Sequence, residues 1–143
     1  MRHDLRIHFI HNAGLCNKIN QGGFVVVRFF AVLFGIVFIF AGVAGFLPTF
    51  TLDGLLFGYF TTHPIHNVVH MVTGVIAIMA ATSYRASRLF FQLFGLVYSV
   101  IAIWGFWSNG DLLIMHVNAA DNILHIIIGV LALLIGFGLR KED

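Results

Sequence analysis

Residues 62–74 read THPIHNVVHMVTG and residues 118–130 read NAADNILHIIIGV. Asn67, His70 and Gly74 of the first stretch return fifty-five positions later as Asn122, His125 and Gly129. Each stretch opens on polar residues suited to a helix start and then becomes apolar, so each reads as the head of a helix that carries an Asn and a His into an apolar setting. Helical spacing gathers His66, Asn67, His70 and Gly74 on one face of the first helix. It does the same for Asp121, Asn122, His125 and Gly129 on the second.

Around these two stretches the chain is far too apolar for a soluble domain. Of 143 residues, 59% are hydrophobic and 10% charged, against about a quarter charged in soluble proteins. The mean hydropathy is +0.96. Residues 29–84 and 89–139 contain neither Lys nor Arg, and the hydrophobic segments lie in those two gaps. The pI near 9.0 therefore reports basic flanks beside an anionic leaflet, and no pattern in it suits nucleic acid. Cys16 is the single cysteine, which excludes an intramolecular disulfide and any CxxC motif. In residues 1–23 no apolar core precedes a small-residue cleavage site, so the first hydrophobic helix is expected to direct insertion and to be retained.

Four spans follow from the hydropathy and the breakers. The first runs from Phe24 to Leu47, with Pro48 at its end, and the second from Pro64, a residue favoured at a first helical position, to Ala81. A turn TSYRAS leads to the third span, Leu89 to Trp107, whose Trp104 and Trp107 suit the far interface. The fourth runs from Asp121 to Leu139. Residues 49–61 and 108–120 read as interfacial loops. With residues 1–23 and 140–143 and the 82–88 turn on one side, that side holds all of the Lys and Arg residues: four in the tail and the adjoining start of the first span (Arg2, Arg6, Lys18 and Arg28), two in the turn and two at the C-terminus. The positive-inside rule then places both termini in the cytoplasm of a bacterial inner membrane.

The first and third spans also correspond. At an offset of sixty, Arg28, Phe30, Leu33, Phe34, Gly35, Val37, Gly45 and Phe46 are matched by identical residues from Arg88 to Phe106. The expected fold is an all-α integral membrane four-helix bundle of two parallel-repeat helical hairpins, residues 24–81 and 88–139. Two-helix halves share one orientation, which excludes an inverted repeat. Small-residue stripes, Gly74, Ala77 and Ala81 on the second helix and Gly129, Ala132 and Gly136 on the fourth, are expected to meet at the pseudo-axis, with Gly35, Gly42, Gly95 and Ala102 offering similar spacing on the other two.

The motifs L-L-F-G with H-P-I-H-N-V-V-H-x-x-x-G at 55–74, and A-D-N-I-L-H-x-x-x-G at 120–129, resemble a bacterial four-span membrane family, domain-of-unknown-function family 4383. The resemblance covers residues 24–137. It implies a fold and a shared site, and no activity, because the family has none established to carry over.

The candidate site is the polar set His66, Asn67, His70, Asp121, Asn122 and His125. His70 lies six residues past Pro64, about 9 Å along the helix, inside the apolar zone. Ionisable residues at such depth mark a function or a specific interhelical bond. The reading adopted from sequence is a structural or interaction protein in which these groups hydrogen-bond across the pseudo-axis near the outer leaflet. The alternative is a divalent metal held by His66, His70, Asp121 and His125, or a haem held by His70 and His125, which direct contact of the small stripes disfavours. His63 and His116 in the outer loops read as solvated groups able to cover the cluster. Gln92, Tyr98 and Ser99 read as packing residues. The implied partner is the lipid bilayer, a second copy of the chain is admissible, and no Ser or Cys nucleophile motif, phosphate loop or paired carboxylates suggest an enzyme.

Overall fold

The computed structural model describes residues 24–139. The expected tail 1–23 with Cys16, and residues 140–143, lie outside the described residues. Helix α1 spans Phe24–Ala44, α2 Pro64–Ala80, α3 Tyr84–Trp107 and α4 Ala119–Leu133. One π turn, Leu134–Gly138, continues α4. By length and apolarity α1, α3 and α4 with its π turn can each cross a membrane. Helix α2 has 17 residues, a rise of about 25 Å, at the short end of what spans a hydrocarbon core. The chain is an all-α membrane bundle, and its outward surfaces agree: Val68, Val72, Val75, Ile76 and Met79 of α2 are exposed, as are Leu93, Val97 and Val100 of α3.

Local chemistry explains the boundaries. Pro64 sits in the first turn of α2, and the preceding His63 caps it, its Nδ1 accepting from the Ile65 amide at 3.3 Å. His63 is thus a helix cap rather than a free loop residue. Ser83 caps α3 by accepting from the Ala86 amide at 3.2 Å. That cap starts α3 at Tyr84 instead of Leu89, leaving only Thr82 and Ser83 of the expected TSYRAS turn outside a helix.

The first outer loop is more ordered than an interfacial coil. After a 3-10 turn at Pro48–Phe50, strands β1 (Thr51–Leu52), β2 (Leu55–Leu56) and β3 (Phe60–Thr61) form a small antiparallel meander. Asp53 and Gly54, both with positive φ (51° and 76°), make the two-residue β1–β2 turn, which needs that backbone at both positions. The pairing Thr51↔Leu56 recurs in the second loop as the isolated bridge Asp111↔His116, again sixty positions on. Strand β3 has no such partner pairing among the described residues, and it supplies the extra length that turns an offset of sixty between α1 and α3 into fifty-five between α2 and α4.

Packing inside the two hairpins follows one scheme. A β-carbon added at Gly74 would lie 2.7 Å from the Gly35 carbonyl oxygen, and one added at Gly129 would lie 3.4 Å from the carbonyl oxygen of Gly95. Arg28 Nε donates to the Ala81 carbonyl at 2.7 Å, and Arg88 Nε to the Gly136 carbonyl at 2.8 Å. Gln92 Nε2 joins Arg88 on Gly136 at 2.9 Å. Helices α1 and α2 therefore pair antiparallel, as do α3 and α4, with the arginines at one end of the bundle and the loops at 45–63 and 108–118 at the other.

This corrects one expectation. The glycines of the stripes, Gly74, Gly129 and Gly136, face the partner helix within each hairpin and do not meet each other at the axis. The middle is filled by aromatic rings instead: Phe34 stacks on Phe38 at 5.1 Å, and Phe38 meets Phe94 and Tyr98 edge-on at 5.3 and 5.8 Å. Ala77, Ala81 and Ala132 pack into this aromatic core. The physical reason is that glycine lets helix backbones approach to contact, and within each hairpin the glycines meet, Gly35 with Gly74 and Gly95 with Gly129.

The two glycine contacts differ in tightness, which makes a test. At Gly74 the obstacles are the backbone of Gly35 and Ile39, at 2.7–2.8 Å, whereas at Gly129 the nearest atom is the Ser99 hydroxyl at 2.9 Å. Gly74→Ala is expected to cost ~1–3 kcal/mol by overpacking, and Gly129→Ala to be near neutral because the side chain can give way and alanine favours the helix by ~0.5–1 kcal/mol. Thermal unfolding of both variants in mild detergent measures the difference, and equal losses would contradict this packing.

Candidate functional site

The six polar residues named from sequence are all placed, and they divide into three groups with different partners. His66, Asn67, Asp121, Asn122 and His125 are buried, and His70 is half-buried.

The asparagines serve their own hairpins. A β-carbon added at Gly45 would strike the Asn67 side-chain amide, and one added at Gly105 would strike that of Asn122. Each Asn therefore lies flat on a glycine near the outer end of the neighbouring helix, at corresponding positions of the two halves.

Asp121 works as a clamp. Asn118 and Asp121 form a reciprocal capping box at the head of α4: the Asp121 amide donates to Asn118 Oδ1 and the Asn118 amide to Asp121 Oδ2, both at 2.9 Å. The same Asp121 oxygen also accepts the Thr61 amide of β3 at 3.1 Å. Asn118 Nδ2 donates to the Tyr59 carbonyl at 2.7 Å. Two hydrogen bonds thus tie the outer loop of the first hairpin to the start of the last helix, and a carboxylate at a helix N-terminus also complements its dipole.

The histidines converge. One ligand nitrogen from each of His66, His70 and His125 lies within 4.8 Å of the other two. The His66 ring is 4.3 Å from that of His70 and 5.9 Å from that of His125 by centroids. Aromatic rings hold them edge-on from below: Phe38 against His70 and Tyr98 against His125, both at 5.1 Å. Phe38 and Tyr98 stand sixty positions apart, His70 and His125 fifty-five, so both contacts obey the offsets of the two halves.

A family model described as a domain of unknown function (DUF4383) matches residues 28–138. The chain belongs to that family. No curated protein and no solved structure matches it.

In this DUF4383 chain the three groups can do different chemistry. Both ring nitrogens of His66 and Nδ1 of His125 are buried without a hydrogen-bond partner among the described residues. Orphaned buried polar atoms each cost ~1–3 kcal/mol, so three imidazoles here stabilise the fold less than leucines of similar volume would. The expected bonds among the cluster's side chains therefore do not form; the cross-repeat bonds run through Asp121 and Asn118 to backbone groups. Asp121 stands outside the converging set, its Oδ2 already accepting two amides. A porphyrin between His70 and His125 would collide with His66, whose ligand nitrogen lies within 4.8 Å of both of theirs. His116 remains exposed in the second loop, in the bridge with Asp111.

Sequence reasoning passed over Tyr59, Thr61 and Phe38, and it read Tyr98 as a packing residue without naming His125 as its partner. Tyr59 and Thr61 act through backbone atoms, which leave no trace in side-chain identity. Phe38 and Tyr98 do leave one, an aromatic at matched positions, but it is lost when only identical residues are counted. The asparagine seats predict matched losses: Gly45→Ala and Gly105→Ala should each displace a buried amide and lower stability by ~1–3 kcal/mol. Thermal unfolding reads this directly, and a variant with wild-type stability would show that its Asn is not seated on that glycine.

Proposed function

We propose that this protein is a multi-pass component of the bacterial cytoplasmic membrane, termini inside, with a structural or ligand-holding role. Its duplicated hairpins are clamped at the outer side so that they enclose a small polar chamber in the outer leaflet. The observation that carries this reading is the clamp, in which Thr61 and Tyr59 of one half bond to Asp121 and Asn118 of the other. A bond of this kind between loop backbone and a helix cap fixes the outer ends of the hairpins, whereas glycine contacts already fix each hairpin internally.

The orientation rests on charge. Arg28, Arg85 and Arg88 cluster at one end of the bundle, and Asp53, Asp111 and Asp121 at the other, the distribution that the positive-inside rule associates with a cytoplasmic basic end. A conducting role is disfavoured by what lies beneath the histidines. Phe34, Phe38, Phe91 and Phe94 interlock across the axis at ring separations of 5.0–5.5 Å, leaving aromatic carbon where a conduit needs polar groups or space.

Two measurements test the reading. Asp121→Ala removes the acceptor of two amides and is expected to cost ~2–3 kcal/mol, with Asp121→Asn, which keeps an oxygen able to accept both, costing less. An Asp121→Ala protein that unfolds with the wild type would remove the clamp. For orientation, a membrane-impermeant maleimide added to spheroplasts should label the native Cys16 only after permeabilisation. Labelling of intact spheroplasts would invert the topology.

A further inference from the structure

We infer that His66, His70 and His125 bind one divalent first-row transition-metal ion of the zinc class, with a fourth ligand from outside the chain. This rests on the clamped chamber proposed above and names what the chamber holds. Three observations support it independently of the clamp.

The first is geometry. Zinc bound by nitrogens at ~2.1 Å in a tetrahedral arrangement keeps them ~3.4 Å apart. Ligand nitrogens no more than 4.8 Å apart reach that separation by small ring rotations and need no helix movement. His66 and His70 lie one turn apart on α2, a natural pair of ligands to one ion, and His125 completes the set from α4.

The second is unsatisfied chemistry. His66 presents two partnerless buried nitrogens and His125 one, so lone pairs are available where no protein donor uses them. A ring whose Nδ1 and Nε2 are both unengaged has one nitrogen for an ion and the other for a water or second ligand. Imidazole donors suit zinc, copper, nickel or iron, and the absence of oxygen donors within the trio argues against magnesium and calcium.

The third is the way the two halves depart from each other. Position 121 corresponds to His66 at the offset of fifty-five, so strict repetition would place four imidazoles here and close a tetrahedral site. The second half instead carries Asp121, drawn away into the capping box. Three protein ligands remain, the number found in zinc sites that keep an open position. Asp121, one turn before His125 on α4, leaves a carboxylate beside the site to offset the charge of an ion held by neutral rings. Phe38 and Tyr98 brace His70 and His125 from below, which limits the rings to orientations toward the shared point.

The test uses the full chain in mild detergent, stripped with a chelator and titrated with Zn²⁺, or with Co²⁺ as a spectroscopic probe. The expected result is uptake of one ion per chain, visible ligand-field bands of a tetrahedral Co²⁺ centre, and at least a tenfold loss of affinity in each of His66→Gln, His70→Gln and His125→Gln. His63→Gln and His116→Gln, which change imidazoles outside the trio, should bind as the wild type does. X-ray absorption of the Zn²⁺-loaded wild type should count three imidazoles, which keeps the assignment testable even if a trio variant fails to fold. A wild-type protein that is folded yet takes up no stoichiometric ion would overturn the inference, as would binding that survives all three trio changes or disappears with His63→Gln or His116→Gln. Asp121→Ala separates the two proposals: loss of stability with metal uptake retained supports both, whereas normal stability sinks the clamp and leaves the metal site standing.

Discussion

Helices surrounded by lipid gain nothing from hiding apolar side chains against one another, so backbone proximity decides which of them pair. In this bundle that proximity is supplied by Gly35 facing Gly74 and by Gly95 packed near Gly129. Once those helices touch, the rest of each hairpin is set. The arginine at the start of the odd-numbered helix reaches a carbonyl at the end of its partner, Arg28 to Ala81 and Arg88 to Gly136. At the outer end an asparagine from the even-numbered helix lies on a glycine of the odd-numbered one. Each hairpin is thus fastened at three heights before any contact between hairpins is made.

What joins the hairpins is different in kind. Bulky rings fill the inner and middle axis, and their edge-on contacts tolerate small shifts better than interlocked glycines do. Directional bonds join them at both ends: Ser87 Oγ of α3 donates to the Ala80 carbonyl of α2 at 3.0 Å, and at the loop end β3, the segment that one loop has and the other lacks, delivers Thr61 and Tyr59 to the head of α4. The departure from symmetry between the two loops is therefore what completes the clamp. It also leaves the histidines with unequal neighbours, because the acidic side chain that stands opposite His66 in the repeat is occupied by the clamp.

Much of this could be read from residues alone. The breakers Pro48 and Pro64, the absence of fixed charge from 29 to 84 and from 89 to 139, and the recurrence of Asn and His specify four apolar helices in two related pairs. The polar residues of the site were visible for the same reason, since ordered Asn, Asp and His are rare at depth in apolar helices. Less legible was who faces whom. A glycine stripe says that something approaches closely and does not say which helix, so Gly74 and Gly129 were assigned to the axis when they face α1 and α3. The division of labour between Asp121 and the histidines was hidden too. It depends on backbone amides of Thr61 and Asn118, and their positions follow from a meander whose short strands carry little pattern.

Helix α2 has 17 residues, against 21 in α1, 24 in α3 and 20 in α4 with its π turn. A span that falls short of the hydrocarbon thickness draws the bilayer surface toward itself, at a cost of fractions of a kcal/mol for each ångström. Two of the three imidazoles ride on this helix, within its first two turns. Thinning of the bilayer along that flank would bring water nearer to His66 and His70 than the ends of the longer helices imply.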